Sequence, residues 1–216
     1  GDIMAQIIPE IEPCIGFEQK NPYHYLQVWE HTVLATSLVA DGVVMRLAML
    51  LHDIGKPKAF VVGEDGIGHY YGHPEISAEM AERILHDLRY DNATIERVVL
   101  LVRNHDATIA ATPGSIKRWL NRIGESGLRQ LIEIKRADAL AQVNPEKKLA
   151  LLDEVHRVAD NVIHFEECFS ISHLDINGHD VMALGVPAGP RVGELLRMCV
   201  DAVMDGDLLN EHDHLI

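Results

Sequence analysis

The apolar run Leu47-Ala-Met-Leu-Leu51 ends in His52-Asp53, and Gly55 and Pro57 follow at once. An imidazole and a carboxylate delivered together at the end of a buried helix constrain the fold strongly, because burying them without partners is costly. The rest of the chain must bring that helix end either a cation or a dense set of hydrogen-bonding groups. The dipeptide itself is a loose motif, since the chain holds five His-Asp pairs. Context separates them. His86-Asp87 closes a Glu- and Arg-rich amphipathic helix and reads as a solvated helix end. His179-Asp180 follows Asn177-Gly178 and reads as a helix start. His212-Asp213 lies near the C-terminus, where order is often poor. His105-Asp106 ends the apolar run Val98 to Val102.

Helical spacing of apolar residues runs through almost the whole chain. It predicts a short helix over Ile3 to Ile11 interrupted by Pro9. A second helix starts at Asn21-Pro22 and runs to Val39, and a third covers Val43 to Ile54. Ala59 to Val62 and His69 to Tyr71, joined through Gly63-Glu-Asp-Gly66, read as a short β-hairpin. Helices follow from Gly72-His73-Pro74 to about Leu88 and from an Asp91 or Asn92 cap to Asn104-His105. A basic helix, Ser115 to Arg122, opens at Thr112-Pro113 and is broken by Gly124. Two more span about Leu128 to Val143 and Pro145 to Phe165, and the tail beyond Ser170 carries two further helices. The expected fold class is all-α: a helical bundle with one short β-hairpin and a small C-terminal helical appendage. The expected boundary separates 1–168, with a lead-in at 1–20, from 169–216.

Composition narrows the function. The formal net charge is −14, which argues against a surface that coats nucleic acid, since that requires clustered Lys and Arg. A local basic patch remains compatible: Lys117, Arg118 and Arg122 share one helix, as a solvated face or as a contact for RNA. No apolar stretch reaches membrane-span length, so no membrane partner is expected. Cys14, Cys168 and Cys199 form no close-spaced pair, which suits a reducing cytoplasm, and each reads as a small buried hydrophobe. Oligomeric state leaves no signal.

Partners for His52-Asp53 must lie on buried faces or at helix ends. His31 sits in a largely apolar helix, His73 at a helix start and His105 at the end of an apolar run. Asp138 shares a face with Leu131 and Ile134 by three- and four-residue spacing. Singly, each could be a satisfied core residue. Together His31, His52, Asp53, His73, His105 and Asp138 have the composition of a mixed imidazole–carboxylate metal site. One or two divalent ions are expected, with Fe, Mn, Ni, Zn, Co and Mg all compatible.

The pattern resembles the HD superfamily of metal-dependent phosphohydrolases, whose signature is a His, a His-Asp pair and a distant Asp, here His31, His52-Asp53 and Asp138. Members with a larger site add two His, matched by His73 and His105, although this chain has Asn104-His105 where such members often carry His-His. Gly16-Phe17, Asn21-Pro-Tyr-His24, Val28-Trp-Glu-His-Thr32, His52-Asp-Ile-Gly-Lys-Pro57, Gly68-His-Tyr-Tyr-Gly-His73, Arg136-Ala-Asp-Ala-Leu140 and Ile176-Asn-Gly-His-Asp180 are similar to the C-terminal half of bacterial tRNA CCA-adding enzymes and related poly(A) polymerases. Nothing in the chain matches the Gly-Ser motif and Asp pair of that family's nucleotidyltransferase domain. The resemblance implies hydrolysis of a nucleotide or RNA-end phosphate ester by a water that the metal acidifies. Asp53 would bridge the metals and Lys56 would stabilise charge on the phosphate. Lys56 could equally be a solvated helix-end cation. Arg103 and Arg136 are further phosphate contacts. The alternative is a non-catalytic tRNA-binding module, or part of a tRNA nucleotidyltransferase.

Overall fold

The computed structural model of the chain describes residues 2–22, 24–39, 42–64, 66–164 and 170–216. The fold is all-α with one antiparallel hairpin. The helices are α1 (Asp2–Ile7), α2 (Val28–Leu38), α3 (Val43–Leu51), α4 (Lys56–Ala59), α5 (His73–Asp87), α6 (Asn92–Asn104), α7 (Pro113–Leu140), α8 (Glu146–His164), α9 (Gly178–Ala183), α10 (Pro190–Asp205) and α11 (His212–Leu215). The hairpin strands are β1 (Phe60–Val62) and β2 (Gly68–Tyr70), paired Phe60 to Tyr70, Val61 to His69 and Val62 to Gly68. Short 3-10 turns occupy Pro9–Cys14 and Ile171–His173.

Two compact units make up the chain: Gly1–Thr108 with Arg129–Leu152, and Ile109–Leu128 with Asp153–Ile216. The expected boundary at 168/169, like Cys168, lies outside the described residues. In the first unit α6 packs on α5 and α3, and α2 on α3. Met49, Leu51, Leu85, Leu101, Leu131 and Ile134 fill its core without measurable exposure. In the second, Ile176, Val181 and Leu196 form a small cluster flanked by Leu174, Val186, Val192 and Leu195.

Local chemistry sets the helix ends. Asp91 caps α6, its carboxylate accepting from the Thr94 backbone N–H at 3.0 Å and from the Thr94 hydroxyl at 2.7 Å. Pro74 and Pro113 occupy first turns, where the missing N–H costs no helical hydrogen bond. Gly124, with φ 70° and ψ 170°, interrupts the helical path of α7. The second helix begins at Val28 rather than at Asn21. Asn21 cannot cap it, because its side-chain oxygen is engaged by His24 Nδ1 at 2.9 Å; Gln27 fills that place, its N–H donating to the Glu30 carboxylate. The third helix stops at Leu51, three residues earlier than its apolar pattern suggests, and His52 to Gly55 form a turn.

Two close approaches set the site's frame: α5 lies against that turn, and the hairpin lies against the lead-in at Gln19. Gly55 donates its N–H to Ser77 Oγ at 2.9 Å. A Cβ on Gly55 would lie 2.8 Å from the Ser77 backbone nitrogen and 3.0 Å from the His73 carbonyl. A Cβ on Gly68 would lie 2.6 Å from the Gln19 carbonyl and 2.7 Å from the Phe60 ring. Only glycine fits either place. Gly55→Ala is therefore expected to cost about 1–3 kcal/mol through overpacking. Urea unfolding should show a lower midpoint with an unchanged slope.

Candidate metal centre

Six polar side chains converge in the first unit, delivered by five stretches of chain. The buried stripe of α2 is Val28, His31, Thr32 and Ala35, so His31 points where the apolar residues point. His52 and Asp53 occupy the turn after α3, His73 opens α5, His105 follows α6, and Asp138 lies on α7 two residues before its end. His31, His52, Asp53, His73 and His105 are all buried.

The four imidazoles are held in the same way. Each donates its Nδ1–H to a backbone carbonyl, which can only accept: His31 to Ala141 at 3.2 Å, His52 to Met49 at 2.7 Å, His73 to Tyr70 at 2.9 Å and His105 to Val102 at 2.6 Å. Nδ1 therefore carries the hydrogen, and in a neutral ring Nε2 is left with a lone pair. All four Nε2 atoms face the same carboxylate. Asp53 Oδ2 lies 3.1 Å from His52 Nε2 and 3.7 Å from His31 Nε2. Its Oδ1 lies 3.4 Å from His73 Nε2 and 3.7 Å from His105 Nε2. Asp138 Oδ1 lies 2.9 Å from His31 Nε2, and the two nitrogens of His73 and His105 are 3.2 Å apart.

Lone pairs do not approach one another at such distances without a positive charge between them. Burial alone would lower His52, yet the Asp53 and Asp138 carboxylates outweigh it and lift the imidazole to about 10. Burial likewise opposes charge on Asp53, and the His52 and Lys56 cations beside it hold the carboxyl well below its ordinary range. Burial opposes charge on Asp138 too, and its contacts with His31 at 2.9 Å and with the His52 cation at 3.7 Å hold it well below its ordinary range. His105 goes the other way: burial, then the charge on His52, push it to about 3.

These residues fit a divalent cation. His31, His52 and Asp53 form one set of three ligand atoms, and Asp53, His73 and His105 another, with the atoms of each set within 4.8 Å of one another. His52 Nε2 and Asp53 Oδ2 are buried and lack a hydrogen-bond partner. Such unpartnered atoms are what a cation satisfies, with His52 giving up its Nε2 proton to bind it.

Around the centre lies a cavity of about 530 Å³, lined among others by Asp53, Lys56, His73, His105 and Asp138. Lys56 is only 5% exposed, which rules out the solvated helix-end reading. Its Nζ lies 2.7 Å from Asp53 Oδ2, out of line for a hydrogen bond to that oxygen, and donates to Gln19 Oε1 at 2.8 Å. Arg103 and Arg136 are not brought to the cavity wall. Arg103 is held by Glu75 at 3.0 Å on the surface. Asn104 turns back onto its own helix, donating to the Leu100 carbonyl at 2.7 Å. Lys117, Arg118 and Arg122 belong to the second unit. There Arg118 pairs with Asp205 at 2.7 Å and Arg122 lies over the Trp119 ring at 5.2 Å.

Three wall residues escaped the sequence reading. His24 donates its Nδ1–H to Asn21 Oδ1 at 2.9 Å and leaves Nε2 buried without a partner; burial, then the Lys56 charge, lower it to about 3. Its signal was a His close behind Asn21-Pro22. Gln142, four residues after Asp138, donates to Asp138 Oδ2 at 2.8 Å and accepts from Lys148. That spacing was readable, but Lys148 gave no signal. Cys14, expected as a small buried hydrophobe, is buried under Ile54, and burial pushes its thiol up to about 12.

The shifts make metal-free stability depend on pH. The raised His52 stabilises fully below pH 6.5, and this is lost as pH climbs towards about 10. The lowered Asp53 and Asp138 stabilise above about pH 3.8, and this is lost as pH falls. Chelator-treated protein is expected to melt highest between those limits, with the melting temperature dropping on both sides. A flat profile from pH 6.5 to 10 would contradict the imidazolium.

Comparison with known proteins gives the chain its family. The family described as tRNA nucleotidyltransferase domain 2 matches residues 73–216. An A-adding tRNA nucleotidyltransferase of Deinococcus radiodurans is 32% identical over 212 residues, covering 93% of this chain and 48% of the relative. A CC-adding tRNA nucleotidyltransferase of Thermus thermophilus is 30% identical, covering 94% and 47%. A bifunctional uridylyltransferase/uridylyl-removing enzyme of Ruegeria pomeroyi is 30% identical over 125 residues, covering 48% and 13%. The chain thus spans about half the length of the two tRNA nucleotidyltransferases it matches. Among the described residues no helix is long and apolar enough to cross a membrane. By the family match over residues 73–216, the chain belongs to the tRNA nucleotidyltransferase domain 2 family.

Proposed function

We propose that the first unit carries an HD-type metal-dependent phosphohydrolase centre acting on a nucleotide or RNA-end phosphate. The observation that carries this reading is the pair of ligand sets sharing Asp53, with four tautomer-locked imidazoles aimed at one carboxylate. A divalent cation bound there would lower the pKa of a coordinated water towards neutrality and polarise phosphoryl oxygens. Asp53 presents one oxygen to each set and can serve both. Gln142, braced by Lys148, orients Asp138. The Lys56 ammonium, buried at the cavity wall, neutralises charge that develops on phosphate oxygens. His24 Nε2 offers an acceptor to a hydroxyl or water in the same cavity.

Metal content after purification tests the reading, together with hydrolysis of 2′,3′-cyclic nucleotides and a generic phosphate ester with Mn, Ni, Mg or Fe added. Asp53→Ala is expected to lower both metal content and turnover more than about 100-fold, since even the outer partners of a ligand are worth about 10–100-fold. Gln142→Ala should fall within that smaller range. Wild-type protein with neither metal nor turnover would sink the reading.

A second reading is favoured by the relatives. Two tRNA nucleotidyltransferases are similar to the chain across nearly all of its length, and the chain spans half of theirs. On this reading the chain is part of a tRNA nucleotidyltransferase and holds tRNA for a transferase active site. The basic residues of α7 then contribute to phosphate binding. Reversing the charges of Lys117, Arg118 and Arg122 together is expected to weaken tRNA binding and flatten its salt dependence. An unchanged salt slope would remove that helix from the interface.

A further inference from the structure

The outer wall of the cavity holds an aromatic pair that neither the ligand sets nor the core uses. His69 and Tyr71 stack with ring centroids 5.3 Å apart and planes within 9°. Both line the cavity together with Asp53, His73 and His105. Tyr71 nevertheless remains 74% exposed.

Strand alternation explains the arrangement. Along His69-Tyr70-Tyr71 successive side chains point to opposite faces. Tyr70 turns inward: its hydroxyl donates to the Gln19 carbonyl, its ring meets Phe60 at 5.6 Å, and Lys56 Nζ lies 5.4 Å from it. His69 and Tyr71 are thereby left on the other face. The strand is fixed as well, since Gly68 donates its N–H to the Lys20 carbonyl at 2.8 Å. The platform is thus part of a pinned hairpin rather than of a free loop. One residue, Gly72, separates Tyr71 from His73, so their Cα atoms lie at most about 7 Å apart. The ring of Tyr71 and the Asp53 centre thus open onto one cavity.

We propose that the stacked His69–Tyr71 pair is a platform for the nucleobase of a nucleotide whose phosphate lies at the Asp53 centre. The inference rests on the phosphohydrolase reading for the phosphate end and adds the residues that would hold the base, so that a nucleoside phosphate binds in preference to a phosphate ester without a base. Stacking of this kind tolerates any base, because every base has a π face.

Calorimetric titration of the full chain tests it, with Mn present and with chelator, using AMP and ribose 5-phosphate, which lacks the base. The expected result is about 5- to 150-fold tighter binding of AMP, the range for one stacked base. Tyr71→Ala should erase that preference while leaving ribose 5-phosphate binding unchanged, and Tyr71→Trp should retain it. At 74% exposure neither change threatens the fold, which circular dichroism verifies. An RNA oligonucleotide ending in adenosine 3′-phosphate distinguishes the source: tighter binding than AMP assigns the platform to RNA ends, and equal binding assigns it to free nucleotides. The proposal is overturned if wild type shows no preference for AMP or if Tyr71→Ala keeps it. Phosphate release is scored separately. A base preference without turnover keeps the platform and removes the phosphohydrolase; turnover without a base preference does the reverse.

Discussion

The Asp53 carboxylate is almost fully buried and faces four imidazoles and one ammonium. Taking a charge of this kind out of water costs several kcal/mol unless opposite charge and hydrogen bonds surround it. The first unit supplies them from five directions, and its helices end where this supply requires. The turn after α3 presents His52 with Asp53, α5 begins on His73, α6 gives way to His105, and the inward face of α2 carries His31. Gly55 allows α5 to approach that turn closely enough for His73 to reach the carboxylate.

Tautomer control does much of the positioning, and most of it is local. His52, His73 and His105 each donate to a carbonyl three residues earlier. For α3 and α6 the accepting carbonyl belongs to the last helical turn, and that of Val102 also accepts from the His105 backbone N–H at 3.4 Å. A bond made at a helix end thus aims an Nε2 atom at the centre. His31 is different: its carbonyl partner, Ala141, is 110 residues away. Its orientation therefore depends on where α7 ends. Asp138 and Gln142 lie at that same end, so one helix terminus orients His31, Asp138 and the bracing amide together.

The division of the chain into units bears on both functional readings. All six centre residues, Lys56 and the hairpin belong to one unit, whereas Lys117, Arg118 and Arg122 belong to the other. The proposed phosphate-ester chemistry and the proposed contact with tRNA phosphates would thus rest on different units of the chain. Family membership bears most directly on the tRNA relation, and the side-chain geometry bears on the centre.

Much of the fold was legible in the sequence because helix signals are local. Apolar spacing, the Asp91 cap, Pro74, Pro113 and Gly124 act within a few residues, and the elements follow them. The convergence of His31, His73, His105 and Asp138 on His52-Asp53 was legible only as a set of buried polar residues at helix ends. Tertiary structure decided the rest. That Lys56 is buried on Gln19, that Arg103 is drawn to Glu75, that Asn21 serves His24 instead of capping α2, and that Tyr71 stacks outward on His69 all depend on partners remote in the chain or on which face a strand turns inward. Sequence by itself determined which residues must be satisfied in the interior, since burial follows from local periodicity. Only the folded chain decided what satisfies them, because a long cation or an amide can reach any of several partners, and packing selects among them.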